Sequence, residues 1–287
     1  MTCSDRSDAA TRPSPAAGWE AQLALRFERE PARTLLPSRR HSGPLRVQKA
    51  LHPEGPGVCQ AIVVHPPGGI VGGDVLAMAI EVAAGAHAQI TTPGAAKWYR
   101  SAGAVATTTV ALDLGAGAVL EWLPQEAIVF DGARATTVTR VEVGAGACFI
   151  GWDIVVLGRT AAGERFTAGR LRQSLEIRRA GELLFCERGV LDAGSSALQS
   201  GAVLGGAQVF ATMVVAGREV SDAALSACRA VAAAEGEGAV TRLPDVLVAR
   251  YRGRAAGAAR TYLAHLWRAL RPALLGREAV APRIWST

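Results

Sequence analysis

No two cysteines of this chain are close enough to form a CxxC pair. The five, Cys3, Cys59, Cys148, Cys186 and Cys228, are odd in number and widely spaced. That excludes a zinc ribbon or a paired disulfide framework and predicts reduced thiols. The opening residues, MTCSDRSDAATRPSP, lack the apolar stretch of a signal peptide, and charges, Gly or Pro interrupt every candidate membrane span. A cytoplasmic chain with no membrane segment is expected. Aromatic residues make up only 5%, so the core must be assembled from Ala, Val and Leu, which favours finely layered β-structure. The standard catalytic signatures are also missing: there is no G-x-S-x-G elbow, no HExxH, and no GK[ST] after a glycine loop.

The net charge of +6 at first suggests nucleic acid, but its placement does not. Residues 241–287 hold nine arginines against Asp245 and Glu278, a balance of +7, which leaves the rest of the chain at −1. The basic character is local rather than a groove along the body, and no nucleic-acid module is present. The length of 287 residues is enough for a sizeable core. Residues 1–18, rich in Ser, Asp, Thr and Pro, are expected to be a disordered tail, and 19–287 a single β-rich domain.

The stretch HPPGGIVGGDVLAMAIEVAAGAHAQITTPGAAKWYRS, His65 to Ser101, organises the rest. Its glycines predict a tight loop in which backbone segments approach closely. The alternating run that follows is a strand, closed by a turn at Gly85-Ala86. That strand–turn–strand unit recurs. Ala106 to Ala118 matches Ala135 to Ala147 at an offset of 29 residues, and the Gly85-Ala86 turn lies 32 residues before Gly117-Ala118. An acid stands four positions before each turn glycine: Glu81, Asp113 and Glu142. Repeats of about 30 residues predict stacked β layers, with these acids on the solvent face.

Alternation also predicts a first strand through Leu23, Leu25 and Phe27, a basic loop at Ser38–Pro44, and strands at Leu45–Leu51, Val58–Val64, Cys148–Leu157, Leu171–Arg178, Leu183–Val190, Gln199–Leu204, Val209–Val215 and Leu243–Arg252. Two helices are expected in the C-terminal third. One is capped by Ser221 and ends near Gly236; the other begins near Ala255 and is interrupted or ended by Pro272. The fold class expected is therefore mainly β, a stacked-strand, β-helix-like body with two late helices.

Four isolated acids stand in apolar or glycine-rich text: Asp74, Glu126, Asp153 and Glu187. Carboxylates are rarely buried without a partner or a metal. Pairing with Arg134, Arg159, Arg170 or Arg188 would account for the last three. The five histidines are scattered, and His87 and His265 read as core or surface residues.

The motifs His65–Asp74 (HPPGGIVGGD), Thr91–Ser101 (TTPGAAKWYRS), Trp122–Ala133 (WLPQEAIVFDGA), Gly151–Arg159 (GWDIVVLGR) and Phe185–Asp192 (FCERGVLD) resemble the urease accessory protein D family, called H in some bacteria. The resemblance runs from about residue 20 onward. It departs at Ala96, where a hydroxyl residue is expected before Lys97. It implies a non-enzyme that helps assemble the dinuclear nickel centre of urease. It further implies binding to the urease apoprotein and to an F-type accessory protein, which recruits a nickel-delivering G-type GTPase. No tightly bound cofactor is implied; nickel is cargo moving along an internal passage. Sparse carboxylates suit a conduit better than a tight cage of His or Cys, and on this resemblance Asp74, Asp153, Glu187 and Glu126 are expected to line it. The competing readings are an enzyme using Asp74 as general base beside Lys97 or Arg100, and a scaffold without metal transit.

Overall fold

The computed structural model describes residues 18–286, so the tail expected at 1–18 lies, except for Gly18, outside the described residues. The chain is mainly β. Its strands are β1 (Glu20–Arg29), β2 (Thr34–Ser42), β3 (Arg46–Val47), β4 (Cys59–Val64), β5 (Val75–Val82), β6 (His87–Thr91), β7 (Ala96–Trp98), β8 (Ala106–Leu114), β9 (Val119–Leu123), β10 (Ala127–Val129), β11 (Arg134–Val143), β12 (Cys148–Leu157), β13 (Arg170–Arg179), β14 (Glu182–Asp192), β15 (Val209–Ala216), β16 (Glu237–Arg242) and β17 (Val246–Gly253). Two α-helices follow residue 220: α1 (Asp222–Arg229) and α2 (Ala256–Leu275).

The strands form two facing sheets. The first has the order β14-β13-β11-β8-β5-β1-β2; the second runs β16-β17-β15-β12-β9-β6-β4-β3. The chain crosses from one to the other at each repeat: β5 to β6, β8 to β9, β11 to β12. Strands β5, β8 and β11 pair in parallel, as do β6, β9 and β12. Short β7 and β10 pair in parallel with each other and join the second sheet where β10 pairs with β12. This is the stacked coil that the 29-residue repeat predicts. The connecting turns need a left-handed residue, and Gly85, Gly117 and Gly146 supply it at φ +69°, +65° and +66°. The three repeat acids stand in one transverse row, Glu81 opposite Asp113 and Asp113 opposite Glu142. Burial, together with these two like charges, raises the Asp113 carboxyl above its ordinary value.

Alternation divides the apolar side chains between two cores. Leu23, Leu25, Phe27, Ile80, Leu112 and Phe149 are among those that fill the space between the sheets. Ile150, Ile154, Leu247, Leu263, Leu266 and Trp267 pack the outer face of the second sheet against the helices. Strand β12 is therefore covered on both sides.

Several boundaries differ from expectation. The basic loop is largely strand β2, an edge strand whose exposed Arg39, Arg40 and His41 oppose edge-to-edge pairing. Only Arg46–Val47 of the next predicted strand is paired as β3. Gln199–Leu204 is not a strand; it follows a short 3-10 segment and coils through turns in which Val203 and Gly205 donate to Ser200. The glycines at 201, 205 and 206 favour those turns. Helix α1 starts as predicted, with the Ser221 hydroxyl accepting from Ala224 N–H, but ends at Arg229. Helix α2 continues through Pro272 to Leu275, because a proline this late deprives only one carbonyl of its bond; Gly276 then caps the end.

Candidate functional site

A cavity of about 1000 Å³ lies between the two sheets. Its walls are mostly apolar, but at one level the inward-facing columns turn polar. In β12 the column runs Phe149, Gly151, Asp153, Val155. In β13 Gln173 follows Leu171, and in β14 Glu187 lies between Phe185 and Gly189. Thr212 and Arg250 take the same level in β15 and β17. All five side chains line the cavity. The ladder sets Asp153 opposite Thr212, and Thr212 opposite Arg250. On the facing sheet, Thr108, Thr137 and Gln173 share a transverse row, and the buried Thr108 hydroxyl has no hydrogen-bond partner.

Asp153 is the centre of this group. It is the one exposed residue of β12, and its side chain lines the cavity between the sheets. Its carboxylate therefore faces the cavity, which is partly open to solvent. One oxygen accepts from Gln173 Nε2 at 2.6 Å, across the gap between the sheets. Burial pushes the Asp153 carboxyl up to about 6; bonds from Gln173 and from Ile154 N–H oppose this, and the Glu187 charge adds to it. Among the described residues no cation stands within ion-pair distance of Asp153. Glu187 does have one, accepting from Arg250 Nη1, which also reaches the Thr212 hydroxyl at 3.4 Å. The two cavity acids thus differ: one is paired with a cation and the other is not.

Asp74 is elsewhere. It is buried at 3% exposure and is not part of the cavity wall. One carboxylate oxygen accepts from Trp19 N–H at 2.8 Å and the other from Val71 N–H at 2.9 Å. It pins the glycine loop to the start of β1. The loop is as crowded as its composition predicts: a Cβ on Gly69 would meet the Tyr99 ring at 2.0 Å. A general base must reach a substrate, and Asp74 is buried away from the cavity with each oxygen already accepting a backbone N–H. His65, from the same loop, does line the cavity. Burial lowers its imidazole pKa, partly offset by the Asp74 charge, and its Nε2 has no partner. Glu126 sits just behind the wall, paired with Arg260 at 3.3 Å, while the wall residue Gln125 accepts from the same Nη1 at 2.7 Å. Of the four acids singled out in the sequence, the cavity brings together only Asp153 and Glu187. None of the four pairs with Arg134, Arg159, Arg170 or Arg188.

The most deeply buried ion-paired acid among the described residues was not among the four. Glu121, fully buried in β9, faces the helices. It meets His87 Nε2 at 2.7 Å, Trp267 Nε1 at 2.6 Å and Arg271 Nε at 3.0 Å. Arg271, also fully buried, joins Glu54 at 2.6 Å. Burial alone would raise the Glu121 carboxyl; His87 and Arg271 outweigh it and hold it below the usual range. Its setting, Val119-Leu120-Glu121-Trp122-Leu123, is the same isolated-acid pattern that drew attention to Glu126. Among the described residues, no three of His, Cys, Asp and Glu gather as a metal cage, and no helix is long and apolar enough to cross a membrane.

The family model described as UreD urease accessory protein matches residues 20–286. Curated relatives agree. The chain is 53% identical over 270 residues to the urease accessory protein UreD of Azoarcus sp. (strain BH72), covering 94% of this chain and 95% of the relative. It is 52% identical over 281 residues to the protein of that name from Dechloromonas aromatica (strain RCB), covering 96% and 98%. A third similarity, 52% over 270 residues, covers 94% of this chain and 95% of its counterpart in Pseudomonas aeruginosa PAO1.

Proposed function

The chain belongs to the UreD urease accessory protein family, and from that premise we propose that it carries nickel toward urease through the space between its two sheets. Its partners in this reading are the urease apoprotein and an F-type accessory protein, with a G-type GTPase supplying the ion through the latter. The chain works in the cytoplasm and turns over no substrate.

One observation carries the proposal: Asp153 presents a carboxylate without a cation partner to the cavity between the sheets. A dication crossing an apolar cavity pays a large desolvation cost, which an ionised carboxylate along the way reduces. Two oxygen ligands with retained water hold nickel weakly enough to let it go. Glu187 is the second station. Asp74 and Glu126 serve the same passage by shaping its walls, Asp74 by holding the glycine loop and Glu126 through Arg260 and Gln125.

The test co-expresses the full chain with urease and its accessory partners at limiting nickel. Asp153→Ala and Glu187→Ala should each lower urease activation and urease nickel content, while the chain still co-purifies with its partners. Unchanged activation in both variants would contradict the passage. Turnover of a small molecule by the isolated chain would contradict the non-enzymatic reading.

A further inference from the structure

Glu187 is not free to receive an ion, because Arg250 already occupies it. The guanidinium reaches from β17 in one sheet to β14 in the other and touches Thr212, the ladder neighbour of Asp153. A guanidinium stays charged at any physiological pH, so it cannot leave by losing a proton. It can only move, and with 53% of its side chain accessible it has room to do so. We propose that Arg250 is the charge-selective gate of the cavity, standing in the place of the cargo and releasing Glu187 only to a divalent cation.

Charge balance sets the selectivity. With the Arg250–Glu187 pair intact, a monovalent ion at ionised Asp153 completes a neutral group and has nothing to gain by breaking the pair. A divalent ion there leaves one positive charge in surplus. The surplus disappears when the guanidinium swings away and Glu187 joins Asp153 around the ion. Once the ion moves on, Arg250 returns and restores the resting pair. The gate therefore discriminates by charge, without the soft ligands that would hold nickel too long. The Arg252–Glu237 pair on the same wall keeps its own partner throughout.

The inference rests on the nickel-passage reading, and the experiment separates the two. Nickel ion binding to the full chain is measured by calorimetry for wild type, Arg250→Gln, Arg250→Met and Arg250→Lys, with thermal melts to confirm folding. Both uncharged variants should bind nickel about two- to fivefold more tightly, since a partly exposed ion pair no longer has to be broken, and should activate urease less because the ion is held. Arg250→Lys should stay near wild type. Adding Glu187→Gln to Arg250→Gln should abolish the gain. Unchanged or weaker binding in folded Arg250→Gln and Arg250→Met overturns the gate, and leaves the passage standing if Asp153→Asn still weakens binding. Wild-type binding and activation in both Asp153→Asn and Glu187→Gln would overturn the passage and the gate with it.

Discussion

Asp153 and Glu121 lie on opposite faces of the same sheet and are treated in opposite ways. Glu121, under the helices, is bonded to His87, Trp267 and Arg271 and has no accessible surface. Asp153, in the cavity, has the Gln173 amide and its neighbour's N–H, and space beside it. The first carboxyl is held below its ordinary pKa and the second is pushed above it. A saturated buried acid fastens the fold, whereas an unsaturated one is available to an arriving cation.

The comparison breaks most visibly on the saturated side. Arg271→Met leaves Glu121 and Glu54 buried without their cation. It should cost about 3–5 kcal/mol, read as a large fall in the urea midpoint or as failure to accumulate folded protein. A loss below about 1 kcal/mol would mean that the network does not fasten α2.

The cavity side differs in sign. Because the Asp153 carboxyl is raised from 3.8 to about 6 in the fold, the folded state binds the extra proton between those values. Stability therefore falls as pH rises from 3.8 to about 6, and the penalty is fully present above that. Asp153→Asn should flatten this part of the profile and leave the chain as stable as wild type, or more so, at pH 7. Glu121 acts in the opposite sense. Its carboxyl is lowered, so its contribution is present above the ordinary 4.5 and lost as pH falls below it. Thermal melts from about pH 3 to about pH 7 separate the two slopes.

Smaller effects sharpen the contrast between frame and wall. Gly117→Ala meets no atom within 4 Å but forces alanine to φ +65°. About 1 kcal/mol should be lost by chemical denaturation, with urease activation unaffected. Glu126→Gln loosens only the Arg260 pair and should change stability by less than about 1 kcal/mol.

Much of the frame was legible because it is local. The repeat, its turn glycines, the strand Cys148–Leu157 and the Ser221 cap all follow from short-range spacing. The cavity acids Asp153 and Glu187 stood out as charges in apolar text, although the partners each would meet did not. Arg250 lies 63 residues from Glu187, and Arg271 lies 150 from Glu121. Pairs that distant are made by stacking coils and docking a helix, which no window of sequence contains. The crowding of the loop before Asp74 was legible too, but not that the chain entering β1 would return to bond its carboxylate through Trp19 N–H.

The most direct test of the account is the nickel occupancy of urease titrated against nickel supply, with wild-type chain and with Asp153→Asn at equal levels of folded protein. The account predicts that Asp153→Asn shifts half-maximal occupancy to several-fold higher nickel, with recovery at excess. Superimposable curves would contradict it.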